Sequence, residues 1–189
     1  KIGNNLSRWR RKRKFEKRLK AGEQLPVLVS EGDSWFQFPL LIREVVDHLG
    51  DDYNIWSVGA AGATAENMVF GPRRKKKTEY LRALRAQQDS VRAFLFSGAG
   101  NDIIGEVGEG KERKSALEGI LRPFNGDDGD IFGHINFSVF GQRMAFLRNA
   151  YEEVINTVRS EPGFERLPIL VHGYDHVFPY PFGANDHRR

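Results

Sequence analysis

Four short apolar runs punctuate the chain, and each ends in a glycine-rich or polar cluster. Residues 26–30 (Pro-Val-Leu-Val-Ser) lead into Glu31-Gly32-Asp33-Ser34, and residues 53–58 lead into Gly59-Ala60-Ala61-Gly62. Residues 91–97 lead into Gly98-Ala99-Gly100-Asn101-Asp102, and residues 167–172 into Gly173-Tyr174-Asp175. Near-continuous apolar runs of this length predict strands buried on both faces. Helical spacing fills the intervals at 39–49, 64–68, 79–88, 115–121 and 140–158. Pro39 suits a first helical position, Gly50 a stop, and Thr64 an N-cap. Strand–helix alternation predicts an α/β fold with a mainly parallel sheet covered by helices on both faces. Ligand sites in such folds lie beyond the carboxyl ends of the strands. All four clusters fall there.

Residues 105–139 break the rhythm and are expected to form an insertion over that end of the sheet, a candidate lid. Their acidic stretch, Asn125-Gly126-Asp127-Asp128-Gly129-Asp130, lacks the spacing and distal glutamate of an EF-hand loop and reads as a turn. The 189 residues suffice for one domain with a core. The absence of cysteine excludes disulfides, cysteine-ligated metals and a cysteine nucleophile. No apolar run is long enough for a membrane span and no signal peptide opens the chain, so a cytoplasmic protein is expected.

Charge divides the chain. Ten of its 29 Lys/Arg and two of its 25 Asp/Glu lie in residues 1–24, so that segment carries +8 and the rest −4 of the net +4. We read 1–24 as a basic arm or peripheral helix packing Trp9 and Phe15 on a domain at 25–189. Such a segment can also meet anionic membrane by charge; nucleic acid is disfavoured, because no recognised nucleic-acid motif accompanies it. A second basic run spans Arg73 to Lys77.

Ser34, just past a buried strand, places its hydroxyl at the open end of the sheet, where a serine is a nucleophile if a base is near. Gly62 lets a backbone N–H approach a bound carbonyl oxygen, and the Asn101 carboxamide is a neutral donor suited to an oxyanion. Serine, glycine and asparagine from three successive strand ends form the constellation that acyl transfer requires. Trp35, Phe36 and Phe38 are candidates for an acyl-pocket wall or for core. Asp33, Trp35, Tyr174 and Asp175 are candidate substrate contacts. The 172/176 histidine pair has a spacing seen in zinc sites but no evident third ligand.

These residues resemble the SGNH (GDSL) hydrolases. Gly32-Asp33-Ser34 matches the nucleophile motif, 59–62 the glycine-bearing motif, and Ala99-Gly100-Asn101-Asp102 the Gly-x-Asn-Asp motif, with Ala99 where the family has glycine. The resemblance covers about residues 26–180. It implies a flavodoxin-like three-layer α/β/α sandwich and ester hydrolysis through an acyl-enzyme on Ser34. The Ser34 and Gly62 N–H groups and the Asn101 side chain would form the oxyanion hole. It implies no metal or organic cofactor, and a small-molecule or lipid acyl ester as substrate.

One departure is large. The family carries its base in a late Asp-x-x-His, and that motif occurs nowhere in this sequence. His172, His176 and His187 lack the family spacing. The expectation is a chain without the family's C-terminal segment, with a fifth strand, the base and a last helix beyond Arg189. A non-catalytic relative, or a base among those three histidines, are the alternatives.

Overall fold

The computed structural model describes residues 2–38, 43–71, 79–107, 114–124, 126 and 129–173. Each predicted strand forms: β1 (Val27–Gly32), β2 (Asn54–Ser57), β3 (Val91–Ser97) and β6 (Ile169–Val171). The expectation that all four are buried on both faces fails for β6, which among the described residues pairs only with β3 at the end of the sheet and leaves Leu170 and Val171 exposed. All six positions of β1 are buried, Ser30 and Glu31 included with the apolar Val27, Leu28 and Val29, as befits a central strand covered on both faces. The four strands pair in parallel in the order β2-β1-β3-β6, with Ser30 opposite Ser57 on one side and Leu95 on the other. The described chain is thus an α/β fold on a four-stranded parallel sheet.

Alternation along the strands sends side chains into two separate cores. Val29, Phe94 and Phe96 join Phe15 of α1 (Ile2–Lys20), Tyr80 and Leu84 of α3 (Glu79–Arg85) and Leu147, Ala150, Val154 and Val158 of α6 (Phe137–Arg159). Leu28, Ile55, Ala93 and Leu95 join Phe36 and Val46 of α2 (Val45–Leu49) on the opposite face. Helix α6 shows why such segments fold locally. Asn136 caps it by accepting a hydrogen bond from Val139 N (3.3 Å), and its four buried residues recur at three- and four-residue spacing, one stripe of a helix.

Several expectations change. Among the described residues, the helix expected over 39–49 is helical only at Val45–Leu49, with Glu44 as N-cap and Gly50 as C-cap; Pro39 lies outside the described residues. The segment after Thr64 is a π-helical turn, Glu66–Phe70, although Thr64 Oγ1 does accept from Asn67 N (3.1 Å). Residues 105–139 contain a short antiparallel pair, β4 (Glu106–Val107) with β5 (Lys114–Ser115), then α5 (Leu117–Ile120) and a 3-10 turn at Phe132–His134. Asp130 Oδ1 accepts Gly133 N (2.8 Å), so this end of the acidic stretch serves a turn. In α1, Phe15 is buried but Trp9 is 53% exposed, so only one of the two expected anchors packs.

Candidate active site

The three motif turns meet at the carboxyl ends of β1, β2 and β3, and backbone hydrogen bonds lace them together. Asp33 N donates to Ser97 O (3.2 Å), tying the Ser34 turn to the end of β3. Ala60 N donates to Gly32 O (2.8 Å), tying the Gly59–Gly62 turn to the end of β1. A Cβ at residue 59 would lie 2.6 Å from Gly32 O, so only glycine permits this approach. Asn101, in α4 (Gly100–Ile104), donates through Nδ2 to Ala63 O (2.9 Å). That nitrogen carries two hydrogens, so one bond fixes the carboxamide and the other hydrogen remains for an acceptor.

Gly62 has φ +76°, and a Cβ there would meet nothing within 4 Å. The turn needs the left-handed conformation, and its outer side is open space. Ala99, at the position where the resembled family has glycine, has φ +111°. An alanine there is strained, because its Cβ crowds the backbone in this region. Tyr151 Oη donates to the neighbouring Gly98 O (2.6 Å) and helps hold the turn; burial pushes the Tyr151 phenol above its ordinary range.

Asp33 is 1% exposed, and its Oδ1 accepts Trp35 N (3.1 Å) and, at 3.5 Å, Ser97 Oγ. Its carboxylate thus braces the Ser34 turn from inside. Asp102, also buried, accepts Ala65 N (2.7 Å) and Glu66 N (3.3 Å) and pins the turn after Gly62. Burial raises its pKa, outweighing those two bonds. Ser97 Oγ lies 3.2 Å from His172 Nδ1, and the His172 ring packs against Trp35 and Phe36 at 5.6 and 5.7 Å. An Asp33–Ser97–His172 line therefore runs beneath the Ser34 turn.

Ser34 opens onto a cavity of about 380 Å³, lined also by Trp35, Phe38, Arg43, Glu44, Val45 and His48. That volume lies in the range of small-molecule sites. Phe36 belongs to the core, whereas Trp35 and Phe38 are exposed at 52% and 42% and line the cavity. Tyr174, Asp175, His176, His187 and the basic run at 73–77 lie outside the described residues. Among the described residues, no group of three or more His, Asp or Glu is placed to hold a metal ion.

Sequence reasoning missed Glu44 and His48 in the cavity wall, and it missed two residues of α1. Asn4 and Ala61 exchange two hydrogen bonds, Asn4 Nδ2 to Ala61 O (3.0 Å) and Ala61 N to Asn4 Oδ1 (3.2 Å). Arg11 donates to Phe36 O (2.5 Å) and pairs with Glu44 and with Asp47 (3.2 Å). Burial pulls the Arg11 pKa down while Asp47 opposes the shift. No sequence signal marks these two, because Arg11 sits inside a run of like charges. No family model and no curated protein matches the chain.

Proposed function

We propose that the protein is a serine ester hydrolase of the SGNH type, built as a flavodoxin-like sandwich and cleaving an acyl ester through an acyl-enzyme on Ser34. The observation that carries this reading is the lacing of the Ser34, Gly62 and Asn101 turns into one cluster, with Ser34 facing a cavity of about 380 Å³. The strand order supports it too. In the flavodoxin-like arrangement the site lies at the switch point between the first and third strands, and Ser34 and Asn101 follow those two strands here.

In this reading Ser34 Oγ attacks the ester carbonyl carbon and gives up its proton, the C–O bond to the alcohol breaks, and the alcohol leaves carrying that proton. Water then attacks the acyl-enzyme carbonyl, releasing the acid and returning a proton to Ser34 Oγ. The oxyanion takes hydrogen bonds from the N–H groups of Ser34 and Gly62 and from Asn101 Nδ2, of which one donor typically contributes about 10²–10³ in rate. Trp35, Phe38 and Val45 give the cavity an apolar wall for the acyl group. The sequence contains no Asp-x-x-His; His172 and His48 are the histidines that the described fold brings to the Ser34 turn and its cavity.

A fluorophosphonate probe tests the reading. We expect covalent labelling of Ser34 in the full-length protein, read by peptide mass, and none in Ser34→Ala. Ser34→Ala should also lower p-nitrophenyl ester turnover by at least about 10³-fold, since the nucleophile acts as part of a unit. Folded protein that takes no label would sink the proposal.

A specific observation favours a second role, docking on an anionic membrane surface. Arg10, Arg13, Lys17 and Lys20 are exposed and share the outward side of α1 with exposed Leu6 and Trp9. Cations beside an indole suit a lipid headgroup region, and each contributes about 1 kcal/mol near an anionic surface. Among the described residues no helix is long and apolar enough to cross a membrane, so this would be binding at the surface. Sedimentation with phosphatidylserine vesicles should fall when these four are changed to Gln. Equal sedimentation, or retention of nucleic acid instead of vesicles, rejects it.

A further inference from the structure

We propose that α1 is a positioning element of the Ser34 site, acting through Asn4 and Arg11. The inference rests on the ester hydrolase reading and assigns that site two residues from outside the sheet. Asn4 and Arg11 are seven residues apart, so they lie on one face of α1, about two turns and 10 Å from each other. Each grips a different site turn.

Asn4 treats Ala61 as one strand treats another, its carboxamide meeting both the N–H and the C=O of that residue (3.2 and 3.0 Å). The residue it fixes immediately precedes Gly62, the proposed oxyanion donor. Gly62 has φ +76° and open space on its outer side, so the turn is held through its neighbours: Ala63 N donates to Ala60 O (3.0 Å), Asn101 meets Ala63 O, and Asn4 meets Ala61. The main-chain O of Asn4 also accepts Gln37 Nε2 (3.2 Å), and Gln37 is fully buried three residues after Ser34.

Arg11 holds the other turn. One arm of its guanidinium donates to Phe36 O (2.5 Å), and the other meets Glu44 and Asp47. Glu44 in turn accepts Phe38 N (3.3 Å) through Oε1 and lines the cavity beside Ser34. The guanidinium therefore ties Phe36 to Glu44, and Glu44 and Phe38 both line the cavity. A rigid helix thus sets the spacing between the nucleophile turn and the oxyanion turn. Transition-state stabilisation depends on that spacing, because donors must sit about 3 Å from where the oxyanion forms, and small misplacements lower the rate steeply.

The test uses the full-length protein with Asn4→Ala and Arg11→Lys. The lysine keeps the charge for Glu44 and Asp47 but cannot also span to Phe36 O. Three quantities are read: the fluorophosphonate labelling rate of Ser34, kcat and KM for p-nitrophenyl esters, and hydrogen–deuterium exchange of the 60–63 and 35–37 amides. We expect Asn4→Ala to lower kcat and labelling rate at least about 10-fold with KM within twofold, and to raise exchange at 60–63 about 10-fold, all in folded protein. Arg11→Lys should lower kcat less than Arg11→Met, which shows graded rescue by the retained charge. Labelling rates and kcat within twofold of the parent in both Asn4→Ala and Arg11→Lys overturn the proposal. A parent protein that takes no label fails the esterase reading. Exchange then decides the clamp by itself, and unchanged protection at 60–63 in Asn4→Ala overturns it.

Discussion

The strand-end turns and the stretch from 114 to 140 are both rich in polar residues, yet they solve the burial problem in opposite ways. At the strand ends, Asp33, Gln37, Ser97 and Asp102 are buried polar residues, and Asp33 and Asp102 each accept from backbone N–H groups of the adjoining turns. In the later stretch Ile120 is buried, but most of the large apolar residues face out. Phe124, Ile131 and Phe132 are 70%, 69% and 72% exposed, and most of the bonds there are local, such as Gly133 N to Asp130 Oδ1 (2.8 Å). A buried polar group must be satisfied or it costs stability, so it fixes its surroundings. Exposed side chains on local turns fix very little. The difference teaches where this chain stores geometric precision.

The comparison can be broken at graded points. Asp102→Ala would leave the buried Ala65 N–H and the part-buried Glu66 N–H without their acceptor, and we expect a loss of about 3 kcal/mol in chemical denaturation. A loss below about 1 kcal/mol would mean the strand-end network is not what holds the turns. Tyr80, packed on Phe94 beneath the sheet, carries a phenol pushed up to about 12, chiefly by burial and next by the charge of Glu31. The folded value lies above the unfolded one, so its stabilisation is full below pH 10 and is lost as pH rises towards 12. The loss should be about 3 kcal/mol, absent in Tyr80→Phe, with phenolate absorbance reporting the ionisation.

Ala99→Gly relieves the strain at φ +111° but gives glycine its larger unfolded-state freedom. The net expectation is a gain of about 1 kcal/mol, or roughly 2–4 °C in Tm. A fall in Tm would show that alanine is comfortable there. Phe132→Ser, at the far end of the comparison, should change stability by less than about 0.5 kcal/mol. A larger loss would place Phe132 in a contact the strand-end region shares.

Much of the fold is legible in the sequence, and some of it is not, for identifiable reasons. The strands stand out because their central stretches are short apolar runs, such as Val27-Leu28-Val29 in β1 and Ala93-Phe94-Leu95-Phe96 in β3, all buried. The sequence does not show that Ser30 and Glu31 are buried as well, or that Leu170 and Val171 of β6 are exposed. The long helix at Phe137–Arg159 is readable because its core stripe is made of Leu, Ala and Val. The packing of α1 is not. Its inward side carries Asn4, Arg8, Arg11, Phe15 and Arg18, three of them cations that any pattern reading assigns to solvent. Arg8 meets Glu79 (2.5 Å), Arg11 meets Glu44 and Asp47, and Arg18 donates to Gly50 O (2.6 Å) and Tyr53 O (3.1 Å). Those acceptors are far away in sequence. Glu44 and His48 escaped notice in the cavity wall for the same reason, since their roles come from packing against a distant turn.

The sequence by itself determined the strand alternation, the position of each polar cluster just past a strand, and the residue types at Ser34, Gly62 and Asn101. It could do so because strand burial and turn chemistry are written in neighbouring residues. The tertiary structure alone decided that Asn101 meets Ala63, that Asp33 faces inward to Ser97, and that a basic helix reaches across to both the Ser34 and Gly62 turns. Those contacts join residues 25 to 64 positions apart. A charge or a carboxamide carries no mark of its partner until the chain has folded around it.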